Sequence, residues 1–355
     1  MHFSPVNILG LMSGTSLDGL DLCLVQFEGS GGLNWKILKA ETRPYDAKLV
    51  MKLKNAHLNS DKEIQLLDQD VGERFAKDCE EFLEELHVDL VASHGHTIKH
   101  RPDLGYTLQI GDSKAIQTKL KCPVIYDFRT QDIELGGQGA PLVPIGDELL
   151  FGEYDFCLNI GGFANFSTRV DSKRIAADIC PVNVVLNTLA EKLGRSYDDK
   201  GLIARVGNVD YDALEKLNEL GFYSASLPKS LGREWVDREI WPILKSAELI
   251  EEDALATFTE HAAIQIAKMV SHGRALFTGG GVKNEFLIER IREHSTAQIE
   301  IPSPQLVDFK EALVFALLGL LRVHSQINVL ASVTGAKQDH ISGQILGDYY
   351  VKKEG

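Results

Sequence analysis

The chain is poor in the features that mark several functional classes. It has five cysteines in 355 residues, an odd number. Cys23, Cys79, Cys122, Cys157 and Cys180 form no CxxC pair, and most lie in apolar stretches such as Leu22-Cys23-Leu24 and Phe156-Cys157-Leu158. They read as buried, reduced thiols of a cytoplasmic protein rather than as a disulfide framework. Positive charge is also scarce. Lys and Arg total 37 against 51 Asp and Glu, a formal charge of −14, so neither nucleic acid nor an anionic membrane surface is expected as a partner. A local basic pocket for a phosphate compound is compatible with that balance. The longest apolar run, Ala312 to Leu321, is too short for a bilayer, which takes ~20 residues, and reads as a buried helix. No basic region followed by an apolar core opens the chain, so no signal peptide is expected. Low-complexity segments and short solenoid repeats are lacking too.

What is present suits two α/β domains. Hydrophobic residues make up 44% and charged residues 25%, enough to bury a core without disulfides or a structural metal. Val6 to Met12 reads as a strand, Ser13 to Gly19 as a turn, and Leu20 to Phe27 and Trp35 to Thr42 as further strands. Asp61 is placed as the N-cap of a long helix, in which Ile64, Leu67, Val71, Phe75, Cys79, Phe82 and Leu86 recur every three or four residues. Val88 to Ala92 reads as a strand, Ser93 to Pro102 as a polar loop, and Val124 to Phe128 as another strand. The glycine- and proline-rich passage Gly136 to Pro144 marks the expected boundary, giving domains of 1–145 and 146–355, with the extreme C-terminus able to pack back on the first. The second half repeats the opening: strand Phe156 to Ile160, turn Gly161-Gly162, strands Ala164 to Val170 and Arg174 to Ile179, then helices. Ala275 to Thr278 is a strand ending in three glycines, and Lys310 to Val323 a helix apolar almost all round. Two such halves facing each other would bring both turns to one cleft.

Several segments carry chemistry. Gly14 to Gly19 matches the first six positions of the Walker pattern GxxxxGK(S/T). Leu20-Asp21 then stands where Lys and Ser/Thr belong, and a strand follows instead of a helix, so the Walker reading fails twice. A small-residue turn between strands can still hold phosphate through backbone N–H groups and the hydroxyls of Ser13, Thr15 and Ser16, with Asp18 and Asp21 available to magnesium; the same residues also suit an ordinary hairpin turn. Gly279-Gly280-Gly281 admits a flat ligand or forms a tight turn. Asp178, ending a strand, suits a general base or a structural acid. Cys180 has no activating His or Lys beside it and is a poor nucleophile candidate. His94, His96 and His100 have the look of a metal cluster, but no Cys lies near, the closest following acid is Asp103, and Lys99 and Arg101 repel a cation. A polar substrate-binding loop is the better reading. Arg129 either clamps an anion or forms a salt bridge, and Glu311 either edges its helix or faces a cleft.

Taken in order, these segments resemble the anhydro-N-acetylmuramic acid kinases of the actin, hexokinase and Hsp70-like superfamily. GLMSGTSLDGLD (Gly10 to Asp21) is close to a signature of that family. SHGHTIKHRP, QIGD, DFR, GGQGAPLVP, NIGGFAN, the Asp178 segment, TGGG, KEA and SVTGA follow in the family order. The resemblance implies two duplicated ribonuclease-H-like (actin-like ATPase) domains with a nucleotide and substrate cleft between them. It further implies a homodimeric cytoplasmic kinase of cell-wall recycling that uses ATP and Mg2+. By that resemblance Gly14, Thr15, Ser16, Leu17, Asp18, Gly19, Leu20 and Asp21 bind nucleotide, together with Gly161, Gly162, Asn165, Gly279, Gly280 and Gly281. Asp18 is the magnesium candidate, Asp178 and Glu311 are catalytic, and His94, His96, Arg129 and Gln138 meet the sugar. Three places depart from the family pattern. Cys180 and Val182 replace glycines, His96 replaces a glutamine, and Ile145-Gly146-Asp147 stands where a histidine-containing segment is usual.

Overall fold

The computed structural model describes residues 3–14, 16–29 and 33–349. The chain divides into two compact units, one formed by the residues up to Leu150 together with those from Phe309 on, the other by Phe151–Asp308.

In the first unit, β1 (Phe3–Ser13), β2 (Gly19–Gly29) and β3 (Leu33–Pro44) form an antiparallel meander. β4 (Leu90–Arg101) and β6 (Val124–Tyr126) continue the sheet in parallel from β1, and β5 (Tyr106–Ile110) pairs antiparallel with the outer end of β4. The C-terminal strand β12 (Gln344–Leu346) closes the far edge, so the order is β12-β6-β4-β1-β2-β3. In the second unit, β7 (Phe156–Ile160), β8 (Phe163–Val170) and β9 (Lys173–Pro181) repeat the meander. β10 (Arg274–Thr278) and β11 (Gln298–Glu300) extend it in parallel, in the order β11-β10-β7-β8-β9. The same hairpin-then-parallel order occurs twice, which is the duplicated ribonuclease-H-like arrangement.

Each unit has its own core. In the first, the helix Asp61–Leu83 lays Leu67, Val71, Phe75 and Phe82 against Leu9, Leu22 and Val91 of the sheet. In the second, the helix Glu251–Met269 buries Leu255, Phe258 and Ile266 among Leu158, Ile179 and Phe277.

Several expectations are corrected. Ser60, not Asp61, caps the long helix; its backbone N–H donates to Glu63 Oε2 at 2.8 Å in a capping box. Ser93 to Arg101 is strand rather than loop, because β1 and β5 supply the partners for its backbone hydrogen bonds. The glycine-rich passage Gly136 to Pro144 lies within the first unit. The division falls at Leu150, and the residues from Phe309 on belong to the first unit. Missing side chains explain why. A Cβ on Gly10 would lie 1.9 Å from the carbonyl oxygen of Ala312, and one on Gly146 would lie 2.3 Å from Val314. Those glycines let the helix Pro304–Val323 lie close on β1 and on the helix Pro144–Leu150.

Candidate active-site residues

In an α/β sheet, ligands collect outside the carboxyl ends of the parallel strands. In the first unit that rim carries Ser13 from β1, Ser93 and His94 from β4 and Asp127 after β6. A pocket of about 190 Å³ opens there, lined by His94, Gln109, Ser113, Tyr126, Asp127 and Thr130 among others. Beside it Arg129 donates from Nε to His94 Nε2 at 3.0 Å and from Nη1 to the Gly139 carbonyl at 2.5 Å. His94 Nδ1 donates to the Gly95 carbonyl at 2.9 Å, so both ring nitrogens are committed. The ring also lies 4.7 Å from that of Phe315. Burial pushes the Arg129 guanidinium down to about 10, while Glu311 and Asp132 hold its proton on. Burial raises the Glu311 carboxyl, and Arg129 and Lys310 pull it back. Lys310 itself pairs with Asp147 at 2.6 Å, both side chains 5% exposed.

The GGQG passage is fastened from two sides. Fully buried Asp132 accepts from Gly139 N and from Thr334 Oγ1, each at 2.6 Å, and Gln138 N donates to the Thr334 carbonyl at 2.8 Å. The Gln138 side chain is exposed. The SVTGA segment therefore acts as a strap for this loop, a role the sequence alone did not reveal.

The signature turn is shorter than expected. Gly14, Ser16, Leu17 and Asp18 belong to it, and Leu17 takes φ 64 with its N–H on the Gly14 carbonyl at 3.4 Å. Thr15 lies outside the described residues. Gly19, Leu20 and Asp21 are strand residues of β2: Leu20 is fully buried, and Asp21 accepts from Thr42 Oγ1 at 2.5 Å. Ser13 ties the turn down, its Oγ lying 2.9 Å from His96 Nδ1 and 2.7 Å from the Tyr45 hydroxyl. His96, 3% exposed, thus braces the turn, and burial holds its imidazole at about 4. His100 places Nδ1 on Thr107. Among the described residues no three or more His, Cys, Asp or Glu side chains converge as metal ligands. Asp18 is exposed and in no ion pair among the described residues. One free carboxylate fits a magnesium ion that takes its other ligands from phosphate and water.

In the second unit, Asp178 stands on β9 directly opposite Asn165 of β8. Ala164 pairs with Cys180 and Asn165 with Asp178, so Ile179 is an extra residue and β9 bulges beside Asp178. The Asp178 carboxylate accepts from Leu231 N at 2.8 Å and Ser230 Oγ at 3.2 Å, both on Oδ2. Burial raises its carboxyl, and those two bonds lower it. Cys180 and Val182, two of the positions expected to depart from the family pattern, are fully buried in the core, where their side chains fill the interior.

Gly161 and Gly162 accept, through their carbonyls, from the N–H groups of Val182, Asn183 and Val184 at 2.8 to 3.3 Å. They cap the helix Asn183–Lys192. The three glycines after β10 differ among themselves. A Cβ on Gly279 would lie 2.4 Å from Asn159 Oδ1 and one on Gly281 2.3 Å from Ile160 Cγ2, whereas one on Gly280 meets nothing within 4 Å. Close packing on β7 explains two of the three, and the middle one faces open space.

The family model described as anhydro-N-acetylmuramic acid kinase matches residues 6–348. A relative of that name from Crocosphaera subtropica is 33% identical over 95% of this chain and 98% of its own length. Another from Aliivibrio fischeri is 33% identical over 93% of this chain and 96% of its own. A third, from Sulfurimonas denitrificans, is 32% identical over 95% and 98%.

Proposed function

This chain belongs to the anhydro-N-acetylmuramic acid kinase family, and from that membership we propose that it converts 1,6-anhydro-N-acetylmuramic acid, ATP and water to N-acetylmuramic acid 6-phosphate and ADP. We place that reaction in the cytoplasm, in cell-wall recycling, with a homodimer as the working form. The anhydro bridge joins C1 to O6, so no hydroxyl is present at O6 to be phosphorylated directly. Water attacks C1 as the C1–O6 bond breaks, and O6 takes the γ-phosphoryl group as its bond to the β-phosphate bridging oxygen breaks. The proton lost by water goes to Asp178. One observation carries this assignment: the carboxylate is engaged through Oδ2 alone, and among the described residues nothing donates to Oδ1.

Phosphoryl transfer asks chiefly for positioning and charge neutralisation. The turn Gly14 to Asp18 offers backbone N–H groups and hydroxyls to phosphate, and Gly280 offers room to a flat base. Asp18 would hold magnesium, which neutralises phosphate charge when bound. Arg129, kept cationic by Glu311 and Asp132, clamps an anionic group of the substrate, with Gln138 beside it in the strapped loop. His94 and His96 act behind these groups, His94 by orienting Arg129 and His96 by bracing Ser13.

The test is ADP release measured across a panel of anhydro and ordinary amino sugars in 18O-labelled water, with mass analysis before anomeric exchange. ADP release should depend on the anhydro sugar, and the label should enter at C1. Sugar-independent hydrolysis, or label in phosphate, would overturn the proposal.

A further inference from the structure

The segment that reaches Asp178 is irregular and mostly exposed from Ala225 to Ser230, yet it is held at several points. Lys229 lends its carbonyl to Asp178 N at 3.0 Å, in the manner of a ladder bond added to β9. The next two residues, Ser230 and Leu231, give the two donors to Oδ2. The Lys229 ammonium turns the other way. It donates to the Phe222 carbonyl at 2.9 Å and the Tyr223 carbonyl at 3.4 Å, and lies 4.6 Å over the Phe222 ring. Tyr223 is anchored in turn. Its hydroxyl donates to His261 Nε2 at 2.8 Å, while His261 Nδ1 donates to Asn218 Oδ1 at 2.8 Å. His261 is fully buried in the helix Glu251–Met269. A continuous set of contacts thus runs from a core helix to one carboxylate oxygen.

We infer that Lys229, Ser230 and Leu231 form a clamp that positions the Asp178 carboxylate for proton transfer, saturating Oδ2 so that Oδ1 takes the proton. The inference rests on Asp178 being the base. Lys229 and Ser230 are positioning residues, since they act through Asp178. The titratable neighbours are few. Cys180 on β9 has its thiol pushed far up by burial and stays neutral, Tyr223 is likewise held protonated by burial, and Lys229 is the one cation of the segment.

The experiment is the pH profile of kcat for Ser230→Ala, Lys229→Met and Lys229→Arg, with Asp178→Asn as reference. Hydrogen bonds to the ionised carboxylate lower its pKa. Removing the Ser230 hydroxyl changes no charge and should move the acid limb of kcat to higher pH, with a loss of about 3- to 10-fold near neutrality. Lys229→Met should lower kcat by roughly 10- to 100-fold while KM for ATP stays within about 2-fold, and Lys229→Arg should restore most of it. If Lys229→Met does not fold, the Ser230→Ala profile decides alone. Wild-type profiles in both variants beside an inactive Asp178→Asn would overturn the clamp and leave the base in place. An active Asp178→Asn would overturn the base assignment itself.

Discussion

Arg129 Nε donates to His94 Nε2 at 3.0 Å while His94 Nδ1 is spent on the Gly95 carbonyl, so the imidazole holds the guanidinium only when neutral. Burial first, and then the Arg129 charge, keep it so by pushing His94 well below its ordinary value.

Three buried histidines make acid a direct threat to the fold. Burial lowers His96 to about 4 and His261 to about 3, and His94 moves in the same direction. The unfolded chain takes up these protons near pH 6.5 and the folded chain does not, so stability is full above that pH and falls as pH drops below it. His96 alone accounts for roughly 3 kcal/mol by about pH 4. Denaturant unfolding between pH 7 and pH 4.5 should show a declining free energy, with a shallower decline for His96→Gln.

Glu311→Gln should lower kcat by about 10²- to 10³-fold if its charge acts on the transferring group. Far-ultraviolet circular dichroism should be unchanged. Full turnover in that variant would return Glu311 to a packing role. Arg129→Lys should also fail, since a single ammonium cannot reproduce the forked contact with His94 and Gly139.

The Lys310–Asp147 pair is buried on both sides. Lys310→Met removes the cation that faces a buried carboxylate and should cost about 3–5 kcal/mol. The double variant Lys310→Met with Asp147→Leu should recover most of that loss. Thermal or denaturant melts of the three proteins give the comparison directly.

The glycine triplet separates stability from binding. Gly281→Ala forces a Cβ against Ile160 and should destabilise by about 1–3 kcal/mol. Gly280→Ala meets no atom, so its melting temperature should match the parent while KM for ATP rises if adenine lies over that glycine.

Much of this was legible from periodicity. The meander strands, the parallel strands and the long helices carry side-chain patterns that need no tertiary knowledge. Ser93 to Arg101 misled because its residues carry no apolar–polar alternation, and the partner that makes it a strand, β5, lies beyond a tight turn. The helix Pro144–Leu150 was hidden behind the glycines and proline that precede it. The return of the chain to the first unit was expected only for its extreme C-terminus, because the close approach of Ala312 and Val314 to Gly10 and Gly146 is a long-range fact with no local signature. Family order pointed to Asp178, Glu311 and Arg129. The Lys229–Leu231 clamp and the Asp132–Thr334 strap were missed, since each joins ordinary polar residues far apart in sequence.

The first unit is assembled from both ends of the chain, with Phe151–Asp308 inserted between them. On the ribosome the inserted unit is therefore complete first, while the earlier-made sheet still lacks the helix that covers Gly10 and the strand that borders β6. A nascent chain halted near residue 308 leaves a finished later unit attached to an unfinished earlier one. Loss of the residues from Phe309 on should accordingly harm the part of the protein that was synthesised first.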